Sequence, residues 1–293
     1  MQSLGFETLA DEAAPRLVID GAENQALAET ALARALEAFT LRINLAGTRG
    51  QDVAAAQIAP RVDRFDRIAH AANGPLSAGV ETSALSTFDY WQQVEERPQA
   101  FVPAGLGAAV AAYGQSVPVS LSTAAMRVKW GGPFVEVTTP RGSLRAKAAV
   151  LTVPPAIIAA GGIVFDPPLP VEKQEAAAAL PMGCLDKIVL PFRAAALETQ
   201  GPRGLFIIDR EEPPADVLLW PGQALSLAIV HVGGAHARAL EAEGPRAAFA
   251  WALDRLLSAY GADLRTAQAG AGTFTRWGSD IHARGAYSAA LPG

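Results

Sequence analysis

The chain has 293 residues, half of them apolar and 18% charged, with a net charge of −5 at pH 7. This length holds one large domain or two ordinary ones, and the composition excludes general disorder. The mild negative charge argues against a nucleic-acid surface, and the single Cys184 excludes an internal disulfide.

The start, Met1-Gln-Ser-Leu-Gly, has neither the basic segment nor the apolar run of a secretory leader. Residues 22–45 are rich in Ala and Leu, and Leu32, Leu36 and Phe39 fall at helical spacing, so a helix with one buried stripe is predicted. A second helix is predicted over 61–72, with Val62, Phe65 and Ile68 inward and Arg61, Asp63, Arg64, Asp66 and Arg67 outward. Asn73-Gly74-Pro75 ends it. Gly105-Leu106-Gly107 looks like the opening of a dinucleotide fingerprint, but Val110 stands where the third glycine belongs, so a turn entering a helix is the better reading.

From Val117 the apolar period changes to two. Strands are expected over Val117–Leu121, around Val135–Thr139 after the Gly131-Gly132-Pro133 turn, and over Ala148–Val153 beyond Pro140-Arg141-Gly142, forming an antiparallel meander. The uncharged run 148–165 is broken by Pro154-Pro155 and Gly161-Gly162 and reads as strand, turn and loop rather than a membrane helix. Glu172–Leu180 reads as a helix, and Lys187–Phe192, Leu205–Asp209, Val217–Trp220 and Leu225–Val232 as strands. Gly233-Gly234 closes the last of these. Two helices split by Gly244-Pro245 follow, the second running to Tyr260 with Phe249, Leu253 and Leu256 on its apolar face. Strands and helices cluster rather than alternate, which places the chain in the α+β class.

No histidine pairs with another His or a Cys at a spacing typical of a structural zinc site, so no metal site is expected, and no G-x-S-x-G elbow is present. Cys184 reads as a small buried hydrophobe. Taken singly, Lys187 reads as a surface charge, Trp277 as a core residue, and Asp166-Pro167-Pro168 as a stiff turn.

In order and spacing, however, these segments are specific. Leu151–Phe192 places a strand before Val153-Pro154, the loop Phe165-Asp166-Pro167-Pro168-Leu169-Pro170, a helix, a glycine turn and Lys187 at the head of a new strand. Thr275-Arg276-Trp277-Gly278-Ser279-Asp280 through Gly285-Ala286-Tyr287-Ser288 follows the pattern W-x-x-D-x-x-x-x-G-x-Y-S, with Ile281 at a position where proline is usual. This arrangement resembles the flavin-containing amine oxidases, the family of monoamine and polyamine oxidases and histone lysine demethylases. The resemblance runs from about Phe101 to Gly293 and is weaker before it.

It implies a mixed-sheet substrate domain with flanking helices, and an antiparallel meander belonging to an incomplete FAD-binding domain. The implied boundaries are 1–100 for the helical part of the substrate domain, 101–155 for the partial FAD-binding domain, 156–280 for the substrate sheet and helices, and 281–293 for the return toward the FAD domain. Lys187 is the implied catalytic residue, facing the reactive edge of the flavin. Ala125 (usually Val in the family), Val153, Pro154, Trp277 and Tyr287 are the implied cofactor-binding residues. The resemblance further implies FAD as cofactor and a small-molecule amine as substrate, oxidised by hydride transfer with hydrogen peroxide as the by-product. The family's N-terminal fingerprint and C-terminal flavin segment have no counterpart here, so missing segments or a complementary chain are expected to complete the site, with apolar surface left exposed around Val117–Val153 and Leu291. A cytoplasmic location without nucleic-acid or membrane partners is expected. Two alternatives stay open: a non-catalytic remnant or subunit that binds a partner, and a related flavin desaturase or oxidase.

Overall fold

A computed structural model describes residues 4–10, 16–19, 24–93, 99–197, 202–208 and 213–293. In chain order the strands are β1 (Leu9–Ala10), β2 (Arg16–Ile19), β3 (Ala100–Phe101), β4 (Arg127–Lys129), β5 (Val135–Thr139), β6 (Gly142–Ala146), β7 (Val164–Asp166), β8 (Leu185–Arg193), β9 (Arg203–Ile208), β10 (Ala215–Trp220), β11 (Leu225–Gly233) and β12 (Thr273–Phe274). The helices are α1 (Gln25–Thr48), α2 (Ala55–Ile58), α3 (Arg64–Asn73), α4 (Pro75–Ala78), α5 (Thr87–Gln92), α6 (Leu106–Tyr113), α7 (Pro155–Ala159), α8 (Val171–Ala178), α9 (Gly234–Glu243), α10 (Pro245–Tyr260) and α11 (Leu264–Ala267). They fall into two compact units. The smaller contains residues 1–14, 94–150 and 163–169, and the larger contains 15–93, 151–162 and 170–293.

The larger unit is built on a six-stranded sheet of order β12-β8-β11-β10-β9-β2, antiparallel except where β2 joins β9. Period-two alternation directs Ile188, Leu190 and Phe192 of β8, Ala228, Val230 and Val232 of β11, and Val217 and Leu219 of β10 into one core. α9 and α10 complete that core with Leu240, Ala248, Ala252 and Leu256. The predicted apolar face of α10 is present: Leu253 and Leu256 are buried, and Phe249 packs against the same cluster. α1 buries Leu32 and Phe39 with Leu36 half-buried between them, as its spacing predicts. Its first turn is capped by Asn24, whose Oδ1 accepts the Leu27 N–H at 3.2 Å. Residues 22–23 of the predicted helix and Asp209 of a predicted strand lie outside the described residues.

α3 starts at Arg64 rather than residue 61. Asp63 and Asp66 form a reciprocal capping box, and capping requires Asp63 itself to be extended. Val62 therefore precedes the helix and is exposed instead of facing inward, while Ile68 is buried and Phe65 half-buried as expected.

In the smaller unit the sheet order is β6-β5-β4-β7, with β7 parallel to β4 and the other pairs antiparallel. Pro140-Arg141 forms the hairpin loop between β5 and β6, closed by the Thr139–Gly142 pair. The Asp166-Pro167 segment, expected as loop, begins inside β7. It is anchored there by the Trp130 indole N–H donating to Pro167 O at 2.7 Å and by the Trp130 N–H donating to Asp166 O at 2.8 Å. Two expected strands are absent: Val117–Leu121 and Ala148–Val153 are irregular. Alternation gives a segment two faces, but a strand also needs a neighbour to accept its backbone hydrogen bonds, and no described strand runs beside either segment. Gly105 adopts φ +89° at the entrance to α6, the turn-into-helix reading of that glycine pair.

Candidate functional site

β8 is where the sequence expectations converge. Its alternation sends Cys184, just before the strand, together with Asp186, Ile188 and Leu190 to the core face, and Lys187 to the opposite, exposed one. Lys187 pairs with His231 across β11, and its N–H donates to Thr275 Oγ1 at 3.0 Å. Its ammonium has no bonded partner among the described residues.

Asp186 is fully buried and pins the segment that leaves β12. Its Oδ1 accepts from the Thr275 hydroxyl at 2.7 Å and from the Trp277 N–H at 2.8 Å. Glu241, on α9, accepts the Gly278 N–H at 2.7 Å on Oε1 and the Ser279 hydroxyl on Oε2. The Cys184 thiol sits between the two carboxyl groups, 3.4 Å from Asp186 Oδ2 and 3.3 Å from Glu241 Oε1. Burial, reinforced by Glu241, raises the Asp186 carboxyl above the ordinary range against the donors from Trp277 and Thr275. Burial acts on Glu241 in the same sense, but the donors Ser279, Asp186, Gly278 and Cys184 outweigh it and hold this carboxyl low. The thiol is pushed well up by burial and by the two neighbouring acids, so it stays protonated.

The chain then returns along the residues that precede β8. The Gly183 N–H donates to Tyr287 O at 2.6 Å, the Ala286 N–H to Gly183 O at 2.8 Å, and the Ala289 N–H to Pro181 O at 3.0 Å. Glycine is needed for this approach. A Cβ on Gly285, at φ +148°, would lie 2.3 Å from Met182 Cβ, and one on Gly183 would lie 2.3 Å from Ala78 O.

The main chains of Trp277 and Tyr287 are thus held near the Lys187 end of β8, Trp277 by the Asp186 carboxyl group and Tyr287 by the Gly183 N–H. The two rings are 42% and 50% exposed and, like Lys187, neither has a bonded polar partner among the described residues. Val153 and Pro154 are half-buried in the same unit, with Pro154 O accepting the Ile157 N–H at the start of α7. No described bond ties them to β8. Ala125 belongs to the smaller unit, half-buried immediately before Met126, whose N–H donates to Thr138 O at 2.9 Å. Sequence reasoning missed Asp186 and Glu241. They are 55 positions apart, and only the packing of α9 on the sheet unites them. Cys184 is buried in the main apolar core as expected, with two acids also in reach of its thiol.

Among the described residues no helix is long and apolar enough to cross a membrane. The chain is similar in sequence to Lysine-specific histone demethylase 1 homolog 1 of Oryza sativa subsp. japonica, with 33% identity over 92 residues, which is 31% of this chain and 11% of that protein. It is also similar to Protein FLOWERING LOCUS D of Arabidopsis thaliana, with 28% identity over 200 residues, 64% of this chain and 24% of that one. It therefore spans a quarter or less of the length of these relatives. Cyclohexylamine oxidase from Brevibacterium oxydans IH-35A shares the fold, with a TM-score of 0.74 at 19% identity, covering 100% of this chain and 73% of that one. The sequence profile of the flavin containing amine oxidoreductases matches residues 4–293, and the chain belongs to that family.

Proposed function

We propose that this chain supplies the substrate-side wall of a flavin-dependent amine oxidase, with Lys187 at the reactive edge of the cofactor and Trp277 and Tyr287 lining it. FAD is the cofactor that the family implies. One observation supports the reading: a lysine and two aromatic residues, all exposed to solvent and with side chains that have no bonded partner among the described residues, belong to segments whose main chains meet at one end of β8. Their chemistry fits the group. Flat aromatic faces suit a planar ring system, and a single ammonium with three donors suits its polar edge.

When bound, the flavin supplies the two-electron acceptor for a hydride from the carbon beside a neutral amine nitrogen, with dioxygen as the final oxidant. Lys187 acts by holding a water molecule in place, not as a nucleophile. Trp277 and Tyr287 position the amine and exclude bulk water. Ala125, through its main chain, and Val153 and Pro154 are assigned to further cofactor contacts. A small primary or secondary amine or an amino acid is the substrate class, and segments beyond this chain or a complementary chain complete the site.

A second reading is favoured by the exposed Val117, Val119, Leu121 and Val150: a non-catalytic subunit whose apolar strip a partner covers.

A visible absorption spectrum of the purified chain before and after adding FAD separates the two. Retained flavin absorbance with peroxide formed from amines supports the oxidase, and Lys187→Met should then lower turnover by roughly 100-fold. A chain that holds no flavin, alone or with a complementary segment, supports the second reading.

A further inference from the structure

We infer that the face of the six-stranded sheet that carries Lys187 is a binding floor for an amine with an apolar body and no second cationic group, and that Leu218, Trp220 and Ile229 set this selectivity. Taking that amine as the oxidised substrate rests on the oxidase reading above, but the floor itself does not.

The pairing register places the floor. Lys187 of β8 stands beside His231 of β11, and His231 beside Asp216 of β10. Residues paired in register share one face of a sheet, and their strand neighbours Ile188, Val230 and Val217 lie in the core on the other. The same alternation puts Val189, Ile229 and Leu218 in a second row, and Pro191, Leu227 and Trp220 in a third. Adjacent strands are about 4.8 Å apart and alternate residues about 6.8 Å apart, so three rows on three strands cover roughly 10 by 14 Å. An aryl-alkyl amine fits on such an area.

The rows differ in chemistry. The first holds an ammonium, an imidazole and a carboxylate, with His231 Nδ1 at 3.0 Å from Asp216 Oδ2. The second and third carry no charged group, and all but Pro191 are half-buried. Val189, Ile229, Leu218, Leu227 and Trp220 are not among the side chains packed on the three described core clusters. The same face is covered farther along, where Phe206 and Ile208 of β9 and Leu17 and Ile19 of β2 pack with Leu32 of α1. The uncovered apolar rows are thus confined to the strands that hold Lys187, His231 and Asp216.

An amino group in the first row meets polar partners, and the rest of the ligand then lies over apolar side chains, which favours hydrocarbon. A second ammonium over those rows would lose water without an acid to pair with, which selects against diamines. Asp216 stands beside His231 in the first row, not under the body. The next charge along β8 is Arg193, a cation whose guanidinium donates to Thr266 O at 2.8 Å.

Methyl NMR of the purified chain tests this, with benzylamine and 1,4-diaminobutane as probes, before and after adding FAD. Benzylamine should shift the Leu218 and Ile229 methyl signals in a saturable way. 1,4-diaminobutane should bind there at least about tenfold more weakly. Ile229→Gln should weaken benzylamine about tenfold. If that variant does not fold, Leu218→Ala, read through the Ile229 methyls, takes its place. Methyl signals that ignore benzylamine, a diamine that binds as tightly, or benzylamine binding unaltered in the folded variant would each overturn the floor. Signals that ignore benzylamine but move with protein concentration would overturn it too, and give the face to a second copy of the chain. The two readings fail separately. Shifts in a chain that holds no flavin keep the floor without the oxidase, and peroxide formed from benzylamine without shifts keeps the oxidase without the floor.

Discussion

His70 shows how one residue can make the fold sensitive to pH. It is buried, with Nε2 at 3.0 Å from Ala59 O and Nδ1 at 2.6 Å from Thr82 Oγ1. A carbonyl only accepts, so Nε2 carries the proton, and Nδ1 accepts from the Thr82 hydroxyl, which in turn accepts from Arg61 at 2.8 Å. Burial and the Arg61 charge lower the His70 pKa. The folded state therefore binds fewer protons than the unfolded one. The stability contributed is complete above the ordinary histidine value and is lost as pH falls through it toward the lowered one. The melting temperature should drop between about pH 8 and pH 5, and His70→Gln should flatten that part of the profile. An equally steep profile in the variant would place the sensitivity elsewhere.

At the scale of elements, glycine separates two kinds of position. Gly233, where β11 meets α9, leaves no room: a Cβ there would lie 1.8 Å from Pro75 O. Gly107, on the exposed side of α6, has nothing within 4 Å of such a Cβ. Gly233→Ala should cost about 1–3 kcal/mol or more by overpacking. Gly107→Ala should be neutral or stabilise by up to about 1 kcal/mol through helix propensity. Denaturant midpoints of the two variants check both signs. In β8, Leu190 is fully buried, so Leu190→Ala should cost about 2–5 kcal/mol, read in the same assay.

These elements also mark how far the sequence could be read. β8, β10 and β11 were legible because period two coincides with bounding Gly and Pro residues, and α10 because Pro245 and Gly261 bracket its apolar stripe. Val117–Leu121 was misread because alternation says nothing of a partner strand. The start of α3 was misplaced because Arg61 and Val62 fit a helical pattern that the Asp63 cap overrides. Lys187, Trp277 and Tyr287 could be picked out as a set only through their family-like order. Asp186 and Glu241 could not, since neither spacing nor residue type links a strand residue to a helix residue 55 positions on.

Across the whole molecule, the exposed apolar side chains are unevenly placed. Val117, Val119, Leu121 and Val150 are 58%, 67%, 77% and 89% exposed within the smaller unit. Leu291, in the larger unit, is exposed as well. A strip of this kind favours association. The purified chain should show concentration-dependent self-association in sedimentation velocity, and Val119→Lys combined with Leu121→Lys should reduce it. Association unaffected by that pair would place the contact on another surface.

β8 has a last consequence. Adjacent residues of this strand carry an acid into the interior and a lysine out of it, while β11 and β12 fix its alignment on either side. Sliding the strand by a single position would turn Ile188, Leu190 and Phe192 out of the core and strand Asp186 in solvent, away from Thr275 and Trp277. The alternation that prepares the site therefore also proofreads the sheet: a misaligned strand is rejected by the loss of its buried apolar face and of the bonds that Asp186 makes, and the correctly folded chain is the one in which these bonds already exist.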